Sequence, residues 1–117
     1  MKKNASRIVI DVTLDTEKVP SEIQWQATDQ SGPNHSEAKA MLLSLFDKES
    51  KDTLKIDLWT KEMQVAEMDR FFYHTLKSLA DTYFRSTGNK ALAGAMQQFA
   101  TYFGQESEII PKDEEPA

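Results

Sequence analysis

The segment from Thr53 to Phe72, TLKIDLWTKEMQVAEMDRFF, changes hydrophobic period partway along, and no other stretch constrains the fold as much. Leu54, Ile56 and Leu58 alternate with polar residues as on a half-buried strand, whereas Val65, Met68, Phe72 and Leu76 recur at helical spacing. A strand must therefore run almost directly into a helix, which demands a mixed domain. No catalytic motif accompanies the switch.

Two earlier stretches read as strands. Arg7 to Leu14 alternates strictly, with Ile8, Ile10, Val12 and Leu14 on one face and Val9, Asp11 and Thr13 on the other. After a charged turn containing Pro20, which lacks a ladder donor, Glu22 to Thr28 places Ile23, Trp25 and Ala27 on one face. Asp29 to Ser36, DQSGPNHS, is dense in turn formers and reads as an exposed loop of about eight to ten residues.

From Lys39 the apolar density rises through AMLLSLFD, and after KESK the strand Thr53 to Thr60 returns as a hairpin. Pairing Asp47 with Asp52 sets Leu45 against Leu54, Leu43 against Ile56 and Met41 against Leu58, all on one face. The other face then holds Leu42 opposite Asp57, Ser44 opposite Lys55, Phe46 opposite Thr53 and Ala40 opposite Trp59. The Asp47–Asp52 pair is a like-charge contact, which leaves room for a slip or bulge at that end.

The first helix is expected over about Gln64 to Ser86. At about 100° per residue, Val65, Met68, Phe72, Leu76, Leu79, Ala80 and Tyr83 form its apolar stripe, with Glu67, Arg70, His74, Asp81 and Arg85 opposite. Gly88 is a left-handed terminator and Asn89 an N-cap. The second helix, about Lys90 to Glu106, directs Leu92, Ala95, Met96, Phe99, Tyr102 and Phe103 inward. Its outer face of Gly94, Gln97, Gln98, Thr101 and Gln105 carries no charge, unlike an ordinary solvated helix face. The expected architecture is α+β, with a four-stranded antiparallel sheet followed by a two-helix hairpin in ββββαα order. The hairpin is expected to cover the sheet face bearing Ile10, Leu43 and Ile56. One domain spans 1–107, and a flexible acidic tail spans 108–117.

Composition narrows the function classes. A net charge of −5 disfavours a nucleic-acid binder, which needs concentrated basic surface. The chain has no cysteine, so thiolate metal sites and thiol nucleophiles are excluded. The opening MKKNASRIVIDVTLD lacks a signal-peptide core, and no run reaches the roughly 20 apolar residues of a membrane span. A cytoplasmic protein without direct membrane insertion is the expectation.

The chemical candidates are few. His74 lies on the polar side of the first helix, and His35 sits in the turn-rich loop beside Ser36, an adjacency that makes no triad. Asp11 and Asp57 could share one side of a sheet, but polar positions of alternating strands point to solvent first. No phosphate loop, zinc spacing or nucleophile elbow is present, so no catalytic, cofactor or metal residues are assigned and no cofactor is expected.

Tryptophan is enriched at interfaces, and the two here differ. Trp25 follows the apolar alternation of its strand and reads as core. Trp59 falls opposite Ile56 and Leu58, where Val9, Leu42 and Phe46 also emerge; its plain alternative is packing on Met63 at the strand-to-helix corner. Val9, Leu42, Phe46 and Trp59 form one expected interface, and Gln97, Thr101 and Gln105 another.

The segments IDLWTKEM, EMDRFFYHTL and LADTYFRST, together with RIVIDVTLDTEKVPSEIQWQATD, EAKAMLLSLFD and MQQFATYF, resemble the gliding-motility-associated protein C family (GldC) of Bacteroidetes. The likeness covers all but about the last dozen residues. Gln64 stands where proline often opens the family's helix. The resemblance implies a small accessory, non-enzymatic protein that binds protein partners of the gliding or secretion machinery, and it carries over no catalytic residues. A homo-oligomer is expected from the surplus apolar surface. Four strands followed by two helices are also the element order of the SecB export chaperone, an analogy that offers a holdase for unfolded clients as the alternative; a small-ligand binder or enzyme ranks below both.

Overall fold

A computed structural model describes residues 4–28 and 36–112. The elements follow in the order β1 (Ile8–Leu14), β2 (Pro20–Ala27), β3 (Ser36–Ala38), β4 (Ala40–Phe46), β5 (Thr53–Trp59), α1 (Val65–Thr87) and α2 (Lys90–Glu106). They form two compact units that divide after Met63, one of strands and one of helices.

The class is α+β, but the strands do not form the single four-stranded sheet that alternation suggests. β1, β2 and β3 make one antiparallel sheet, and β4 and β5 make a second. The physical reason lies at Lys39. Ser36–Ala38 pairs with β2, with Ile23 opposite Ala38 and Trp25 opposite Ser36. The chain then bends at Lys39 and re-enters extended structure at Ala40 in the other sheet. Ser36 thus belongs to a strand instead of the expected loop; the rest of that loop, His35 included, lies outside the described residues.

β1 and β2 pair with Ile8 opposite Ala27, Ile10 opposite Trp25 and Val12 opposite Ile23, so both apolar alternations share one face. Ile23 is the centre of this sheet's core at 1% exposure, worth about 1.5–3 kcal/mol of burial. Ile8, at the far end, is largely exposed. Pro20 occupies the first position of β2, where its missing donor costs least, and the ladder is irregular between Thr13 and Leu14. The intervening turn closes on Asp15, whose Oδ1 accepts from the backbone N–H groups of Glu17 and Val19 at 2.8 and 3.0 Å. Lys18 adopts a left-handed φ of 63° there.

The β4–β5 hairpin has the register that side-chain alternation predicts at every pair from Ala40–Trp59 to Phe46–Thr53. No slip is needed at the acidic end. Asp47 N–H donates to the Asp52 carbonyl at 2.9 Å, while the Asp47 carboxylate turns into the loop and accepts from the Glu49 and Ser50 N–H groups. These donors, Ser50 foremost, hold the Asp47 carboxyl below its usual range.

In the helical unit, Gln64 is the N-cap of α1, and its N–H donates to the Glu67 carboxylate at 3.0 Å, the returning half of a capping box. Gly88 ends the helix in a left-handed conformation with its N–H on the Phe84 carbonyl, and Asn89 Oδ1 caps α2 by accepting from Leu92 N–H at 3.0 Å. α1 turns Tyr73 and Ala80 inward, 7% and 1% exposed, and α2 turns in Ala93, Ala100 and Gly104. Small residues therefore make the inner face of α2, instead of the larger Leu92, Phe99 and Tyr102, each more than half exposed. Gly104 shows why: a Cβ there would stand 2.5 Å from Tyr73 Cε1. Beyond the helix, the N–H groups of Ile109 and Ile110 return to the Gly104 carbonyl, and Lys112 pairs with Glu106 at 3.0 Å. The remainder of the expected acidic tail, 113–117, lies outside the described residues.

Candidate functional site

The residues with acid–base chemistry lie on three different elements. Asp11 stands on β1 opposite Gln24, and Asp57 on β5 opposite Leu42, on strands of different sheets. Asp57 is engaged by Lys55 at 3.4 Å. His74 projects from the exposed side of α1, its ring edge-on to Tyr73 at 5.1 Å between centroids. Among the described residues no group of three or more His, Asp or Glu side chains is placed to hold a metal.

The strongest electrostatic pairing joins two turns. Asp15 Oδ2 is buried against the Lys61 ammonium, which follows β5. Lys61, then the Val19 and Glu17 N–H groups, lower the Asp15 pKa to about 2. With β1 leading into Asp15 and β5 leading to Lys61, this contact ties the two sheets at one end.

Of the expected interface residues, Leu42, Phe46 and Trp59 do share one face of β4–β5. Trp59 is a diagonal neighbour of Leu42 and is 57% exposed. Phe46, 70% exposed, lies at the hairpin end, roughly 20 Å further along at strand rise. Between them runs a polar strip in which Lys55 Nζ reaches both Ser44 Oγ, at 3.1 Å, and Asp57. The face thus carries two separate apolar patches. Val9 stands on the other sheet, half-buried opposite Gln26. Beside Trp59, a notch of about 230 Å³ is lined by Val19, Pro20, Asp57, Leu58 and the indole itself.

On α2, Gln97, Thr101 and Gln105 follow one another at single-turn spacing, with Gln97 and Thr101 exposed and Gln105 half-buried. A larger feature escapes a reading that sends the big apolar side chains inward. Leu76 and Tyr83 of α1 and Leu92, Ala95, Met96 and Phe99 of α2 line an open groove of about 480 Å³. The signal for it was the row Ala93, Ala100, Gly104, whose small size brings the helices together along the flank of each apolar stripe and leaves the stripe centres outside.

No helix among the described residues is long and apolar enough to cross a membrane. No curated protein and no solved structure matches the chain. The family model described as gliding motility-associated protein GldC-like matches residues 20–109, from the first residue of β2 through Ile109 after α2. With more than half of its length matched, the chain belongs to the GldC-like family of gliding motility-associated proteins.

Proposed function

We propose that this protein is a non-enzymatic accessory component of gliding motility in a bacterium of the Bacteroidetes, acting in the cytoplasm through protein–protein contacts. Membership of the GldC-like family carries the proposal. The placement of Asp11 and Asp57 in different sheets and the exposure of Trp59 and Phe46 favour contact over chemistry. The partners are proteins of the gliding or secretion machinery, and the protein itself is a homo-oligomer. Trp59 with Leu42, and the Gln97, Thr101 and Gln105 face, are the proposed contact regions. Deletion of the gene should impair colony spreading, and affinity capture of the tagged protein from gliding cells should recover machinery components. Unimpaired spreading on several surfaces would overturn the proposal.

A second reading, a SecB-like holdase, is favoured by one observation: Leu45, Phe46, Leu54 and Ile56, at the loop end of one hairpin, are each half exposed or more. A holdase suppresses aggregation of an unfolded client at equimolar protein. Absence of suppression would remove this reading and leave the first.

A further inference from the structure

The groove between α1 and α2 is the least expected surface of the molecule. Its lining side chains are all aliphatic, aromatic or thioether, and none is charged. Leu79 and Phe72 stand beside it on α1, 51% and 37% exposed, with Leu92, Phe99 and Tyr102 on α2 at 53%, 52% and 58%. Glu67, Arg70, Asp81 and Arg85, with His74, lie on the opposite side of α1, Lys77 on its flank and Asp69 on the apolar side two turns before Leu76; α2 has no charge between Lys90 and Glu106. We propose that this hairpin face is the dimerisation surface of the protein, where it meets the same face of a second copy across a two-fold axis. The proposal rests on the oligomer reading above and assigns the contact between copies to the apolar side of α2, which leaves the Gln97 and Thr101 face to other protein partners.

Three observations select a second copy as the occupant. The first is charge. A chain of net charge −5 meets its own kind most readily through an uncharged surface, and the six side chains that line the groove are uncharged on both helices, with Asp69 beyond its α1 end. The second is shape. A two-fold contact sets one patch against itself, so the patch must carry both projection and recess; Leu79 and Phe99 project beside a groove of about 480 Å³. The third is area. Phe99 and Tyr102, each over half exposed, keep on the order of 100 Å² apiece of aromatic side chain. Together with Phe72, Leu79 and Leu92 the face shows roughly 500 Å² of apolar surface, at the upper end of what a monomer displays. With a polar rim this approaches the roughly 800 Å² per partner of a standard interface.

The chain has no cysteine, so one introduced thiol reports only contacts between copies. Light scattering on the full chain at about 100 μM, a concentration generous for a specific dimer, should give twice the monomer mass. Phe99→Glu should give a monomer with unchanged helical circular dichroism. In the event that Phe99→Glu does not fold, the milder Leu79→Cys and Phe99→Cys proteins should crosslink to dimer with a short bismaleimide, and Arg70→Cys should not. A monomeric wild type would overturn both this proposal and the oligomer reading. A dimer that crosslinks through Trp59→Cys or Thr101→Cys, and not through Leu79→Cys or Phe99→Cys, would overturn this face alone.

Discussion

Thr60 gives both of its hydrogens to one acceptor, the Lys39 carbonyl: its backbone N–H at 2.8 Å and its hydroxyl at 3.2 Å. Lys39 is the residue at which the chain leaves the first sheet for the second, and Thr60, 3% exposed, is the only buried polar residue of the described chain. The pair fixes where β4 begins and hence where two sheets replace one. Thr60→Val keeps the shape and the backbone bond but loses the hydroxyl. It should cost about 1 kcal/mol in urea unfolding; a change within error would show that the hydroxyl does not hold the bend.

Two glycines of α2 should respond to alanine with opposite sign. At Gly104 the new methyl would meet the Tyr73 ring and also Ile110 Cγ1, at 3.1 Å, and Tyr73 is buried, so Gly104→Ala should destabilise by about 1–3 kcal/mol. At Gly94 nothing lies within 4 Å, and Gly94→Ala should stabilise by about 0.5–1 kcal/mol through helix propensity alone. Thermal unfolding of the two variants beside the wild type tests the close helix approach; equal shifts would contradict it.

Asp15 predicts a specific acid response. Its folded pKa, about 2, lies below the ordinary 3.8, so its contribution is fully present above about pH 4 and is lost as pH falls through about 2. Unfolding of the Asp15→Asn protein should therefore show a shallower loss of stability than wild type between those limits. Lys61→Met should flatten the same window, because the ammonium is the largest cause of the shift. Parallel acid profiles for wild type and Asp15→Asn would show that the pair is solvated.

Much of this fold was legible in the sequence where one signal dominated. The β4–β5 register followed from side-chain alternation because any one-residue slip would expose Leu43, Ile56 and their neighbours to the wrong face. The junction between the helices followed from Gly88 and Asn89, whose backbone roles are local, whereas the capping role of Gln64 was not read. β3 was not legible. Three residues, Ser36 to Ala38, carry no periodicity, and their pairing with Ile23 and Trp25 is tertiary. The bend at Lys39 depends on Thr60, distant in sequence, and the Asp15–Lys61 pair depends on the same folding together of distant turns. Of the candidate interface, Leu42 and Trp59 were correctly placed on one face, because strand parity decides that. The hairpin groove was missed because a helical wheel rewards large apolar residues, whereas Ala93, Ala100 and Gly104 win the helix contact by letting the backbones approach.

The proposal that this GldC-like protein works by contact and not by chemistry is tested most directly by complementation of a deletion strain. A gene carrying Asp11→Asn, His35→Ala, Asp57→Asn and His74→Ala together removes every candidate acid, base or nucleophile activator named above. It should restore colony spreading as fully as the wild-type gene, whereas Trp59→Ala combined with Leu42→Ala should restore it poorly. A quadruple variant that folds and accumulates normally yet leaves the colonies unable to spread would contradict the account.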